Sequence, residues 1–132
     1  MSDLYYPRVI RSPTEPRSQF SCRRSTIDGV VYVVLGGELD IAAVPELDAA
    51  LRLAWASSEV IVLDLRELEF IDSSAVHLMV EADRRIRRAG GRLIVVRGPW
   101  EIDWLFVLLG IDRVLELVDS SPSLSRRAAH AV

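Results

Sequence analysis

Two short apolar runs rich in β-branched residues, Val60-Ile61-Val62-Leu63-Asp64-Leu65 and Leu93-Ile94-Val95-Val96, flank a stretch in which Ala75, Met79, Ala82 and Ile86 recur with steps of four, three and four. The runs have the length and composition of strands buried on both faces, and the stepped residues mark one face of a helix. Strand, helix and strand in that order join two parallel strands through a right-handed crossover. The chain is therefore expected to be α/β.

The flanking segments extend the same plan. Phe20 and Cys22 alternate ahead of Ile27-Asp28-Gly29, which reads as a turn into the run Val30-Val31-Tyr32-Val33-Val34-Leu35, and together these predict a hairpin. Gly36-Gly37 is expected to end that second strand. Leu47, Ala50, Leu51 and Ala54 then predict a helix over 43–56, with Pro45 tolerated in its first turn. Gly90-Gly91 predicts a left-handed stop to the central helix. Pro99 at a first helical position opens a third helix that Gly110 closes, and residues 114–118 predict a last short strand. The expected architecture is one domain over 18–118, a four- to five-stranded mixed β-sheet with helices chiefly on one face. Residues 1–17, with Pro7, Pro13 and Pro16, are expected to form a flexible arm, and 119–132 a flexible tail.

Half of the 132 residues are hydrophobic, enough for one developed core. Nineteen acidic side chains against 16 basic ones give a net charge of -3 with no basic tract, so direct contact with nucleic acid is not expected. Cys22 is alone, which excludes an intramolecular disulfide and a thiolate metal site and suits a reducing compartment. No apolar stretch reaches membrane-spanning length and the first 17 residues lack a signal-peptide core, so a cytoplasmic protein without membrane insertion is expected.

The segment with chemical content is Phe70-Ile71-Asp72-Ser73-Ser74-Ala75, which places a carboxylate and two hydroxyls between a buried strand and a helix N-terminus. The first N–H groups of a helix lack internal partners and carry partial positive charge, so a side-chain oxygen or a phosphate is stabilised there. Asp72 or Ser73 can serve simply as the N-cap. The same position can also hold a phosphoserine, whose charge of about -1.5 to -2 would disturb any partner docked over it. His77, three residues after Ser74, lies over the same helix face and could pair with such a phosphate. Glu38 and Asp40 are read as solvated or capping carboxylates in a strand-to-helix loop.

Several of these motifs, taken in order, resemble the STAS domains of bacterial anti-sigma factor antagonists over about 18–118. Gly37-Glu38-Leu39-Asp40, Val62-Leu63-Asp64-Leu65, Phe70-Ile71-Asp72-Ser73-Ser74, Ala89-Gly90-Gly91 and Leu105-Phe106 before Gly110-Ile111 carry the resemblance. It implies a protein-binding module without catalytic residues, cofactor or metal. A serine-kinase anti-sigma factor would be captured by the unphosphorylated form and released on phosphorylation of Ser74, with Ser73 the second candidate, and a serine phosphatase would reset the cycle. Asp40, Asp72, Ser73 and His77 are the expected partner-binding residues, and a weak homodimer is allowed for. The chain departs from the pattern after the serines, where the family commonly has Gly-Leu-Gly and this chain has Ala75-Val76-His77.

Two other function classes compete on the sequence. A constitutive STAS subunit of a stress-signalling complex or a lipid-transport ATPase would use the same fold without the switch. An enzyme with Ser74 as nucleophile lacks a Gly-x-Ser-x-Gly elbow and a well-placed histidine, since only His77 and His130 exist. A P-loop is excluded because the chain has no Lys. The third helix, with Trp100, Ile102, Trp104, Leu105, Phe106, Val107, Leu108 and Leu109, is more apolar than one buried stripe requires.

Overall fold

The computed structural model describes residues 19–120. The expectations for residues 1–17 and for the tail beyond Ser120 lie outside the described residues.

β1 (Ser21–Ile27) and β2 (Val30–Leu39) form an antiparallel hairpin through the two-residue turn Asp28-Gly29. A short 3-10 turn, Ile41–Ala43, leads into α1 (Val44–Ser57), and β3 (Val60–Ile71), α2 (Ser73–Arg88) and β4 (Arg92–Val96) follow. α3 (Trp100–Leu108), a second 3-10 turn (Ile111–Arg113) and β5 (Glu116–Val118) complete the described elements. The five strands are ordered β1-β2-β3-β4-β5, and every pair after the hairpin is parallel. The expected mixed sheet is present with its helices on one face.

Alternation along the strands explains that layering. Val31, Val33 and Leu35 of β2, Ile61, Leu63 and Leu65 of β3, and Leu93 and Val95 of β4 point to one side. They pack there against Leu47, Leu51 and Ala54 of α1, Ala75, Val76, Met79, Ala82 and Ile86 of α2, and Ile102 and Phe106 of α3. The residues between them, Tyr32, Val62, Ile94 and Val96, form a second buried cluster on the opposite face. A central strand buried on both sides must be apolar throughout, which is why the β3 run shows no polar alternation before Asp64.

Three boundaries differ from the sequence expectation. Gly36-Gly37 does not end β2, which continues to Leu39. The register slips there, from Val34 opposite Asp64 to Gly36 opposite Glu67, and again from Gly37 opposite Leu68 to Glu38 opposite Phe70. β3 thus carries extra residues in two bulges, and Gly37, at φ 73°, takes a backbone conformation that side chains disfavour. Glycine inside a strand marks a bulge as well as a terminus. Pro99 is the N-cap of α3 rather than its first residue, and the last strand begins at Glu116 because Ile111–Arg113 is helical. Asp83, although charged, is 3% exposed, and its carboxylate accepts from Arg87 Nε at 3.0 Å.

Gly90, at φ 89°, supplies the expected left-handed stop to α2. Gly91 is needed for a different reason, namely space. A Cβ there would stand 2.3 Å from the Trp55 ring and 2.7 Å from the Glu59 carbonyl oxygen. Gly91→Ala is therefore expected to destabilise the fold by about 1–3 kcal/mol, the usual cost of overpacking, in urea unfolding followed by circular dichroism.

Candidate functional site

The site forms where the carboxyl ends of β2 and β3 lie side by side. Leu39 is paired with Ile71, and the Asp72 N–H donates to the Leu39 carbonyl at 2.8 Å. Asp40 and Asp72, each the first residue after its strand, are thereby made neighbours although 32 positions separate them in the chain (72 minus 40). Each opens a helical segment in the same way. Asp40 Oδ1 accepts the Ala43 N–H at 3.2 Å, and Asp72 Oδ2 accepts the Ser74 N–H at 2.8 Å. Asp72 is thus the N-cap of α2, which settles the choice between Asp72 and Ser73.

The two serines differ in environment. Ser73 is exposed, whereas Ser74 is half-buried and its hydroxyl donates to the same Asp72 Oδ2 that takes the backbone N–H. One carboxylate oxygen therefore holds both the main chain and the hydroxyl of Ser74. Ala75 and Val76, the next residues, are fully buried and anchor the helix to the sheet. The hydroxyl is consequently fixed by a charge-assisted hydrogen bond on a rigid support. His77 is exposed one turn further along α2, on the same side as Ser74.

Asp40 fulfils its capping expectation, but Glu38 does not fulfil the solvated one. Glu38 is 4% exposed and lines a cleft of about 300 Å³ with Gln19, Phe20, Asp40, Ala42, Ala43 and Glu46. Gly36-Gly37 reads as the end of a strand, but Glu38 is still inside β2, so a carboxylate that reads as a loop residue is a buried one. Ile41, beside this cleft, is an exposed aliphatic side chain. The apolar excess of α3 is divided: Ile102 and Phe106 are buried, Trp104 and Leu105 are half-buried, and Trp100 (71% exposed), Val107, Leu108 and Leu109 face outward.

Among the described residues no group of His, Cys, Asp and Glu is placed to hold a metal ion, and no helix is long and apolar enough to cross a membrane. Cys22 is a half-buried free thiol, and burial, reinforced by the Glu46 charge, pushes its pKa up and keeps it protonated. The Asp72 cap is open to a direct check. Asp72→Ala should cost about 1 kcal/mol in chemical unfolding, whereas Asp72→Asn, a good cap in its own right, should restore most of it.

The chain is similar in fold to solved anti-sigma factor antagonists. One from Mycobacterium paratuberculosis superposes with a TM-score of 0.70 at 23% identity, covering 77% of this chain and 87% of that one. The anti-sigma factor antagonist SpoIIAA in its unphosphorylated form gives 0.69 at 22% identity, with 85% and 98% covered. The phosphorylated form of the Bacillus cell fate determinant SpoIIAA gives 0.61 at 24% identity, with 82% and 98% covered. The model of the STAS domain family matches residues 23–124, most of the chain, and the chain belongs to that family.

Proposed function

We propose that this protein is an anti-sigma factor antagonist, a non-catalytic binding module whose affinity for a serine-kinase anti-sigma factor is set by phosphorylation of Ser74. The observation that carries the proposal is the hydroxyl of Ser74, presented at a helix N-terminus and bound to Asp72. Likeness to solved antagonists, including one captured in a phosphorylated form, supports the same reading.

The switch follows from competition at Asp72. Unmodified, the Ser74 hydroxyl is a neutral donor that satisfies the carboxylate, and the surface formed by Asp40, Asp72, Ser73, Ser74 and His77 is available to the partner. A phosphate on Ser74 replaces that donor with a charge of about -1.5 to -2. Two unit charges about 4 Å apart near a protein surface repel by roughly 4 kcal/mol. The Asp72 cap is worth only about 1 kcal/mol. Repulsion exceeds the cap, so the carboxylate leaves, the phosphate takes over the N-terminal amides, and the surface that the partner had bound no longer exists. A serine phosphatase restores it. Ser73, exposed and outside the Asp72 contact, is the weaker acceptor.

The ridge of Trp100, Val107 and Leu108 on α3 is the observation that favours a permanent-subunit reading, because exposed apolar side chains of that size usually meet a partner. The two readings separate in one experiment. The wild-type protein, Ser74→Ala and Ser74→Asp are each used as bait in the cells that make the protein, and recovered proteins are quantified by mass spectrometry. The proposal expects a protein-kinase partner to be retained by Ser74→Ala and reduced at least tenfold with Ser74→Asp. Equal recovery on both baits at fixed stoichiometry would favour the permanent subunit.

A further inference from the structure

The sheet has two apolar faces, and the described helices account for one of them. α1, α2 and α3 bury their side chains against Val31, Val33, Leu63 and Val95. On the other face stand Tyr32, Val62, Ile94 and Val96, and the residues packed against them, Ile27, Val30, Val60 and Val118, all belong to the strands themselves. Side chains of a strand stand roughly perpendicular to the sheet, so neighbours in the same sheet flank them and leave their tips to whatever lies above. Those tips are nevertheless out of water. Tyr32 is 7%, Val62 1%, Ile94 4% and Val96 0% exposed. The Tyr32 hydroxyl, the outermost atom of its side chain, is buried as well and has no hydrogen-bond partner among the described residues.

The burial is that of a single chain, so the cover is neither a second copy nor another protein. The three helices and both 3-10 turns of residues 19–120 place their apolar side chains on the first face, so none of them supplies it. Two segments of the chain lie outside the described residues, 1–18 and 121–132. They differ in what they can bury. Residues 1–18 carry Leu4, Tyr5, Tyr6, Val9 and Ile10 within seven positions, whereas 121–132 offers Leu124 and Val132 and otherwise Ser, Pro, Arg, His and Ala. Reach also suffices. Ser21 pairs with Gly36, four residues along β2 from Tyr32, and β4 is three strands from β1, so the patch lies within about 20 Å of Ser21. Ile10 stands 11 positions before Ser21 (21 minus 10), an extended reach of about 36 Å.

We propose that residues 1–18 dock on the second face of the sheet, with Leu4, Tyr5, Tyr6, Val9 and Ile10 covering Tyr32, Val62, Ile94 and Val96. The domain then carries its own second layer, as parallel strands require, since such strands are found with both faces covered. Pro7, Pro13 and Pro16 lack a backbone donor, which ill suits this segment to adding a strand at the β1 edge but does not hinder it from lying across a face. The docked segment closes this face to partners and leaves them the helical side and the Asp72 loop. The proposal is independent of phosphorylation at Ser74.

The test uses the full chain with the methyl groups of Leu, Ile and Val labelled for NMR. The proposal expects nuclear Overhauser contacts from Val62, Ile94 and Val96 to Leu4, Val9 and Ile10, confined to one molecule when labelled and unlabelled copies are mixed. In parallel, the triple variant Tyr6→Ser, Val9→Ser, Ile10→Ser should keep the wild-type circular dichroism spectrum and raise the fluorescence of the apolar dye ANS at least threefold. The double variant Leu124→Ser, Val132→Ser should leave that fluorescence at the wild-type level. Methyl contacts to residues 121–132, contacts only between copies, or no contact to residues 1–18 would each overturn the proposal, as would wild-type dye binding by the triple variant. Should the triple variant lose its circular dichroism spectrum, the methyl contacts of the wild-type chain decide by themselves.

Discussion

Parallel pairing of β2 with β3 is the constraint on which the rest of the molecule depends. It runs from Val31 opposite Ile61 to Leu39 opposite Ile71, the whole length over which the two strands can meet, and it survives two slips of register on the way. Had the ladder stopped at the first slip, β2 would have ended near Gly36, and Asp40 and Asp72 would have opened unrelated loops. Because it continues, the Asp72 N–H reaches the Leu39 carbonyl and two aspartates capping two helical segments come to lie together. The bulges belong to the same logic. Extra residues on β3 turn the strand so that it delivers α2 over the sheet with Ala75 and Val76 buried and Ser73 outside.

On that support the chemistry is decided by one oxygen. Asp72 Oδ2 accepts from the Ser74 amide and from the Ser74 hydroxyl, so any change at the hydroxyl is felt by the helix cap. A switch built this way needs no hinge. It needs a charge whose repulsion outweighs a cap worth about 1 kcal/mol, and a phosphate beside a carboxylate meets that condition several times over. Ala75, standing where the family pattern has glycine, is buried together with Val76, which fits a cap held on a packed helix start.

Much of this was legible in the sequence because its signals were local and repeated. The runs that became β3 and β4 and the stepped residues of α2 predicted the parallel sheet, and Asp72-Ser73-Ser74 before a helix predicted an N-terminal site. What escaped was non-local. Gly36-Gly37 looks the same whether it ends a strand or bulges inside one, and only the partner strand decides which. Glu38 and Asp83 carry charge, so they read as solvent-facing, yet one lies inside the lengthened β2 and the other is paired with Arg87. The seat of Trp55 against Gly91 is a contact across 36 positions of chain (91 minus 55) that no periodicity announces.

The most direct measurement is the intact mass of the protein isolated from its own cells, before and after phosphatase treatment, with the modified peptide mapped by fragmentation. The account predicts a fraction heavier by a single phosphate, removed by the phosphatase and mapped to Ser74. A protein that carries no phosphate in growth or under stress, or carries it only at residues away from the Asp72 cap, would contradict it.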